Sequence, residues 1–445
     1  MEVLNYSYDI AVLGAGPGGL TAAVAAARQG MKVLLVDRNG YLGGTLASGL
    51  PILGFLDCKA RQVAGGMAEE VVDRLTEAGG SYGIKFDPHH NSTVTVHPGY
   101  MRLVAVKMCQ EAGVDILLHC ETVNVDVTNG KITCVSVFGK GMRVDIAARI
   151  YIDGTGDGDV GYLAGAAYEK GHGDTKGVQP PTLMFTLGNV DHEKMFRYLD
   201  DHPEDHDDPV DYFRNEKSHS LVAFKGLYRR LREQGENPVN MPALICINSM
   251  NEGQVYINGM RLSNTDGTDL VSLTKAELDG HIQVEKLIAM LKKHVPGFEN
   301  CHLININPAV GIRETRRLIG KKYLTIDKAM AYEVPDDTIA LAAYMIDIHS
   351  PTDTKSTFIK LQEPFGIPYL TLVNRDIGNL MMVGRCISVD YQVYGSTRVM
   401  STCMAVGEAA GIGAALAIKK NIDPADVDHN EVRKILLANK AILSL

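Results

Sequence analysis

Three observations predict an α/β fold built on a parallel sheet and a β-meander, with a strand-rich α+β insertion. Residues 8–38 read as strand, glycine turn, helix and second strand. Residues 115–152 hold short alternating runs divided by glycine turns. From about residue 178 the texture shifts to Pro-flanked strands and acidic loops, until an alanine- and glycine-rich helix returns near the end.

The first unit organises the rest. An apolar run at 10–13 leads into Gly14, Ala15, Gly16, Pro17, Gly18 and Gly19, then an alanine-rich helix ending near Gly30. A second apolar run at 32–36 closes on Asp37. This is a βαβ unit with G-x-G-x-x-G at its first turn and an acid about twenty residues on. Gly14 permits the tight turn, Gly16 lets a pyrophosphate approach the backbone, and Gly19 lets helix and strand pack closely. Free N–H groups at the helix start face the phosphates, and Asp37 is expected to accept hydrogen bonds from both ribose hydroxyls. A glycine turn that only permits packing is the alternative. Strand, helix and acid in register favour a dinucleotide.

Composition narrows the class. The 445 residues are too long for one simple core, so two domains are expected. A net charge of −9 without a run of Lys and Arg argues against nucleic acid. No apolar stretch reads as a membrane span, and the acidic, polar N-terminus shows no signal peptide. Eight scattered cysteines without C-x-x-C fit reduced thiols in a cytoplasm and argue against a Cys-clustered iron–sulfur or zinc site. No metal site is expected.

After Asp37 and Arg38, the glycines at 43 and 44 with Thr45 offer flexible backbone where a larger cofactor would extend from its adenosine; a plain loop is the alternative. Helices are expected at 65–78, with Met67, Val71, Val72 and Leu75 inward, and at 98–112. Strands follow at 115–118, 122–127, 131–138, 143–146 and 149–152, with Val123 passing the adenine. The last strand runs into the Gly- and Asp-rich loop 153–159, whose Thr155 and Gly156 suit a second backbone approach. A calcium loop there lacks the twelve-residue frame. Within the insertion, strands are expected at 182–187, 243–248, 253–258, 302–307 and 338–346. A helix at 274–295 is expected to turn Leu278, Ile282, Leu287 and Leu291 inward. The acidic stretch 192–211 reads as a solvated helix and loop. The closing helix at 402–419 carries small residues for close packing.

These stretches together resemble a family of bacterial FAD-dependent oxidoreductases on a glutathione-reductase-like fold. The resemblance is distant to fumarate-reductase flavoproteins and to the flavin subunit of heterodisulfide reductase. It is carried by GAGPGG with Asp37, GGT at 43–45, IDGTGDGDVGYLAGA at 152–166, MRLSNTDGTD at 260–269, GIRETRRLIG at 311–320 and the run 382–417. The resemblance implies a Rossmann-like FAD-binding domain (1–177 and 371–445) with an inserted substrate domain (178–370). It implies that Gly14, Gly16, Gly19 and Asp37 hold the ADP half, with Pro17, Gly18 and Arg38 beside them. Val123 would lie at the adenine, Thr155 and Gly156 at the pyrophosphate, and Gly44 and Thr45 near the ribityl. Gly384, Arg385 and the segment with Ser396, Thr397 and Val399 would underlie the isoalloxazine. A second G-x-G-x-x-G is missing, so a built-in NAD(P)H domain is not expected. The absence of a Ser-His doublet points to noncovalent FAD.

A flavin enzyme needs a proton donor or acceptor beside the reacting bond. His349, at the end of a strand near the domain junction, is the first candidate, as an imidazole near its intrinsic pKa. A junction histidine bonded to backbone is the alternative. Arg313 and Arg316, three apart on an expected helix, suit a carboxylate or reduced flavin, or pair structurally with Glu314 or another acid. Arg261 is a further anion candidate. Tyr391, Tyr394 and Arg398 border the expected flavin face, with Tyr394 as a donor to substrate, and Cys386 is close in sequence. Three functions remain: an FAD-dependent dehydrogenase or reductase of a small organic molecule, a flavin monooxygenase, and a subunit relaying electrons to a partner. The electron donor or acceptor is not specified, and self-association is left open.

Overall fold

The first strand, Glu2–Leu13, begins well before the apolar run and pairs in parallel along its length with Met142–Asp153, from Glu2 opposite Met142 to Leu13 opposite Asp153. That continuous partner explains why the two strands expected at 143–146 and 149–152 are one. The computed structural model describes residues 2–172, 177–352 and 355–445. On its other side Glu2–Leu13 pairs in parallel with Val33–Asp37, which pairs in parallel with Asp115–Leu118. Met142–Asp153 divides its other edge. Its first half pairs antiparallel with Lys131–Gly139, which pairs with Glu121–Thr128, and its last residues pair in parallel with Leu380–Met382. One strand therefore joins the parallel sheet to the meander.

Helix Pro17–Arg28 begins with Pro at its first turn, where a missing N–H costs nothing. It packs against the long helix Met400–Lys420 at backbone distance. A Cβ on Gly407 would stand 2.2 Å from Gly18 O, and one on Gly411 2.3 Å from Ala22 O. Thr21 Oγ1 donates to Met404 O at 2.8 Å. By length and composition Met400–Lys420 could cross a membrane, contrary to the sequence expectation, but 94% of its apolar window is buried inside the fold. It is the central helix of the first core.

Phe185–Gly188, Ser220–Ala223, Leu244–Asn248, Val255–Ile257 and His302–Ile306 form a separate antiparallel five-stranded sheet. One face packs on helix Leu270–His294 around Phe185, Leu244, Cys246, Ile257 and Leu287. This helix buries Ala276, Gly280, Val284, Leu287 and Leu291, whereas Leu278 and Ile282 are exposed, correcting their inward assignment. Two apolar faces left the pattern without a preference, and the small residues at 276 and 280 decide it by close approach. This unit's core runs from Leu183 to Val310, while Leu324, Ile339, Phe365, Ile367 and Tyr369 pack with Ile10 and Val12 in the first core. In packing, the insertion ends near residue 311 and not at 370. The expected strand 338–346 divides into Thr338–Ala342, paired with Phe365–Pro368, and Ile346–His349, paired with Ser356–Ile359.

Candidate active site between the two cores

A cleft of about 890 Å3 runs from the first glycine turn to the free face of the inserted sheet. At one end Gly14 has a φ of 101°, and a Cβ there would meet Gly154 O at 2.3 Å, so this turn requires glycine. A Cβ on Gly16 has no neighbour within 4 Å and would stand in open space at the start of helix Pro17–Arg28. Asp37 is buried at the cleft wall. Its Oδ2 accepts from Ala15 N at 2.6 Å, and its Oδ1 accepts from Asn39 N at 2.7 Å and Asn39 Nδ2 at 2.9 Å. The carboxylate thus braces the glycine turn and retains lone pairs for further donors. Arg38 Nη2 lies 3.9 Å from Asp157 Oδ2 across the cleft.

In the middle, Gly44 and Thr45 line the wall opposite the loop after Asp153. A Cβ on Gly44, whose φ is 51°, would come within 2.9 Å of Gly16 Cα. Asp153, fully buried, accepts from Thr155 Oγ1 at 2.6 Å and Gly161 N at 3.0 Å, shaping the turn that carries Gly156. Burial pushes the Asp153 carboxyl up to about 6, against those donors. Arg385 Nη2 donates to Asp157 Oδ1 at 2.8 Å, while its Nη1 is buried without a protein partner. An orphaned guanidinium nitrogen, open space at Gly16 and a free helix N-terminus are the donor set that fits an anionic dinucleotide.

Gly384, Val399, Met400 and Cys403 line the next stretch. Burial pushes the Cys403 thiol up to about 12, so it remains protonated. Beyond them lie Arg313, Asp347, His349, Arg261 and Arg398, roofed by the inserted sheet. Arg398 Nη2 donates to Asp347 O and Oδ2, both at 3.0 Å. His349 Nε2 stands 3.1 Å from Asp347 Oδ1, and its Nδ1 is 3.0 Å from Arg261 Nη2 and from Ser356 Oγ. Burial pulls His349 down to about 4 despite Asp347, so the ring is neutral at neutral pH, with Nδ1 hydrogen-bonded. This corrects the expectation of an imidazole near its intrinsic pKa.

The cleft gathers Gly14, Gly16, Pro17, Gly18, Asp37, Arg38, Gly44, Thr45, Thr155, Gly156, Gly384, Arg385, Val399, Arg313, His349 and Arg398. Other expected residues stand outside it. Gly19 packs behind the turn, where a Cβ would be 1.8 Å from Gly14 O. Val123 is half exposed and turned away; by strand alternation its neighbour Thr122 reaches the cleft, as does Glu121 at the strand's first residue. Ser396 and Thr397 are buried in helix Tyr391–Thr397, donating to Tyr344 O and Val393 O. Tyr394 donates to Arg313 O at 2.6 Å and is fully buried, so it positions that segment and does not face a substrate. Tyr391 stacks on His172, and Cys386 is buried on Val383 O and Asp153 O. Arg316 lies in strand Arg316–Leu318 and not on a helix, because this segment pairs with Tyr168–Lys170. It pairs with Asp159 at 2.8 Å over the Tyr162 ring, while Arg317, and neither Arg313 nor Arg316, pairs with Glu314.

Sequence reasoning missed His90. It lies in the turn between strands Lys85–Asp87 and Asn91–Val94 and lines the cleft beside Tyr344, with which it stacks at 6.5 Å. Its Nδ1 is 3.2 Å from the buried carboxylate of Asp87, whose Oδ1 also accepts from the backbone N of 89 and 90. Among the described residues nothing bonds its Nε2. The D-x-x-H spacing was the available signal. Among the described residues no group of three His, Cys, Asp or Glu is placed to hold a metal ion.

Residues 9–436 match the family model described as FAD dependent oxidoreductase. Local likenesses accompany it. The mitochondrial dihydrolipoyl dehydrogenase of Dictyostelium discoideum is 32% identical over 127 residues, 28% of this chain and 23% of that one. The digeranylgeranylglycerophospholipid reductase of Thermoplasma acidophilum is 27% identical over 181 residues, 36% of this chain and 42% of that one. Each alignment therefore spans less than half of the curated relative. A solved geranylgeranyl bacteriochlorophyll reductase-like protein of Thermoplasma acidophilum covers 98% of this chain and 85% of its own, at 14% identity and a TM-score of 0.47. With the model match running almost end to end over a cleft that suits the cofactor, the chain belongs to the FAD-dependent oxidoreductase family and uses FAD.

Proposed function

We propose that this oxidoreductase is a dehydrogenase or reductase of a small organic molecule, with FAD held noncovalently. The observation that carries the reading is one continuous cleft. It passes from the Gly16 turn, past Gly44, Gly156 and Arg385, to a chamber of ionisable side chains under the inserted sheet. When bound, FAD supplies hydride exchange at N5. The open backbone at Gly16 and the helix start bind its pyrophosphate, and Arg385 adds a charged donor braced by Asp157. The inserted sheet covers the chamber. His349, neutral and fixed between Asp347 and Arg261, orients the wall and does not exchange protons at neutral pH. The proton that accompanies hydride transfer falls to His90, which lines the cleft with Nδ1 on Asp87.

The test is the visible spectrum of the purified protein, before and after anaerobic mixing with a panel of small acids, alcohols and enones. Bleaching by one compound, or reoxidation of the chemically reduced protein by an enone, supports the reading. A flavin that responds only to a protein partner, or NAD(P)H consumption coupled to oxygen, refutes it in favour of electron relay or monooxygenation.

A further inference from the structure

The chamber's charges do not balance. Arg313 and Arg398 face one another's field with Asp347 as the acid between them. Asp347 is committed to Arg398 at 3.0 Å. Arg313 Nη1 donates only to Pro180 O, and among the described residues no carboxylate lies within ion-pair distance of this side chain. Burial first, and Arg398 second, pull the Arg313 guanidinium down to about 9, the behaviour of a cation lacking its counter-ion. Arg398 Nε is itself buried without a partner. Three guanidiniums, Arg261, Arg313 and Arg398, line this wall around the single carboxylate of Asp347, so the wall carries an excess of positive charge. An unmatched charge there is costly, and an incoming anion removes the cost. The opposite wall is apolar: Met184, Ile245 and Ile247 lie on the face of the inserted sheet turned away from its core.

We infer that the small molecule is an organic carboxylate, its carboxylate held by the Arg313 fork and Arg398 Nε and its apolar body lying on Met184, Ile245 and Ile247. The planar fork suits two carboxylate oxygens side by side. The inference rests on the dehydrogenase or reductase reading only in calling this molecule the substrate; the subsite itself is a property of the side chains.

The experiment titrates the flavin-loaded protein with benzoate, benzamide and phenyl phosphate, read by calorimetry and by perturbation of the flavin spectrum. Benzoate is expected to bind at least about ten-fold more tightly than the neutral amide, the equivalent of about 1.4 kcal/mol. Arg313→Gln is expected to abolish that preference, and Arg313→Lys to restore part of it, with thermal unfolding confirming that each variant folds. Equal binding of benzoate and benzamide by the wild type overturns the inference without any variant. Tighter phenyl phosphate overturns the carboxylate assignment, and an Arg313→Gln protein that still prefers benzoate overturns the residue. Flavin content is read separately. A protein that takes up no FAD fails the cofactor site, whereas a flavin-loaded protein that is bleached by a neutral substrate and ignores benzoate fails this inference alone.

Discussion

Gly16 and Gly19 occupy one turn, yet a methyl group added at each meets opposite surroundings. At Gly16 the backbone is extended, with φ −67° and ψ −173°, and no atom lies within 4 Å of a built Cβ. Gly16→Ala is therefore expected to change the stability of the flavin-free protein by less than about 1 kcal/mol, in the direction of a gain, since alanine restricts the unfolded chain. The same methyl fills the seat for the pyrophosphate. Forfeiting one charge-assisted backbone hydrogen bond costs about 1.5–3 kcal/mol, or about 10- to 150-fold in FAD affinity. At Gly19 a Cβ would be 1.8 Å from Gly14 O and 3.4 Å from Val12 Cγ1. That oxygen is backbone in the tightest turn of the fold, so it cannot swing aside. Gly19→Ala is expected to cost at least the roughly 1–3 kcal/mol of an overpacked core, with or without cofactor. Thermal unfolding of flavin-stripped protein measures the first quantity, and quenching of flavin fluorescence on titration the second. A Gly16→Ala protein as destabilised as Gly19→Ala, or one that binds FAD like wild type, would refute the assignment of Gly16 to the phosphates.

Three further outcomes follow from ionisable side chains. The Asp153 carboxyl is raised to about 6 by burial, so its stabilising neutral form is complete below the ordinary carboxylate range and is lost as pH climbs through about 6. The shift of about two units corresponds to about 3 kcal/mol; Asp153→Asn, which adds a pH-independent offset at Gly161 N, should gain about that much relative to wild type between about pH 4 and pH 7, and a difference flat across that range would sink the claim. His90→Gln should lower turnover by about a hundred-fold, the usual scale of acid–base catalysis, with partial recovery on added imidazole. His349→Gln should instead weaken substrate binding without such recovery. Imidazole rescue of the His349 variant alone would reverse the two assignments.

The glycine-turn half of the cleft was legible as one cluster because local backbone builds it. Gly14, Gly16, Asp37 and Thr45 lie within one βαβ unit and its following turn, and their spacing carries their geometry. Val123 shows the limit: the strand was placed correctly, but alternation turns its neighbour Thr122 inward, and no spacing rule fixes that phase. Ser396 and Thr397 failed for a related reason. They lie in a helical turn whose hydroxyls bond inward, and of residues 396–399 only Arg398 and Val399 reach the cleft. The substrate half was legible only as scattered candidates. Asp87, Arg313, Asp347 and Arg398 come together through contacts between distant segments, and the decisive property of His349, its burial, belongs to no single segment.

The arginine cluster also shows how the two halves are tied mechanically. Helix Tyr391–Thr397 approaches strand Ile346–His349 so closely that a Cβ on Gly395 would lie 2.7 Å from Asp347 O. That approach lets Arg398, in the short link before helix Met400–Lys420, reach both the carbonyl and the carboxylate of Asp347. The same helix lies against Pro17–Arg28 at Gly407 and Gly411, fixing the floor on which Gly18, Gly384 and Cys403 meet. Ser396 Oγ bonding to Tyr344 O, and Tyr394 Oη bonding to Arg313 O, complete the link. Residues that look like site candidates by proximity in sequence are therefore the ties between site segments. Arg313 is set against the cofactor floor through Tyr394, and Arg398 through its own helix. A carboxylate bound between these two guanidiniums would be held in register with that floor through the bonds that tie their two connecting segments to Tyr394 and Asp347, the condition under which a reacting bond is positioned to within a fraction of an ångström.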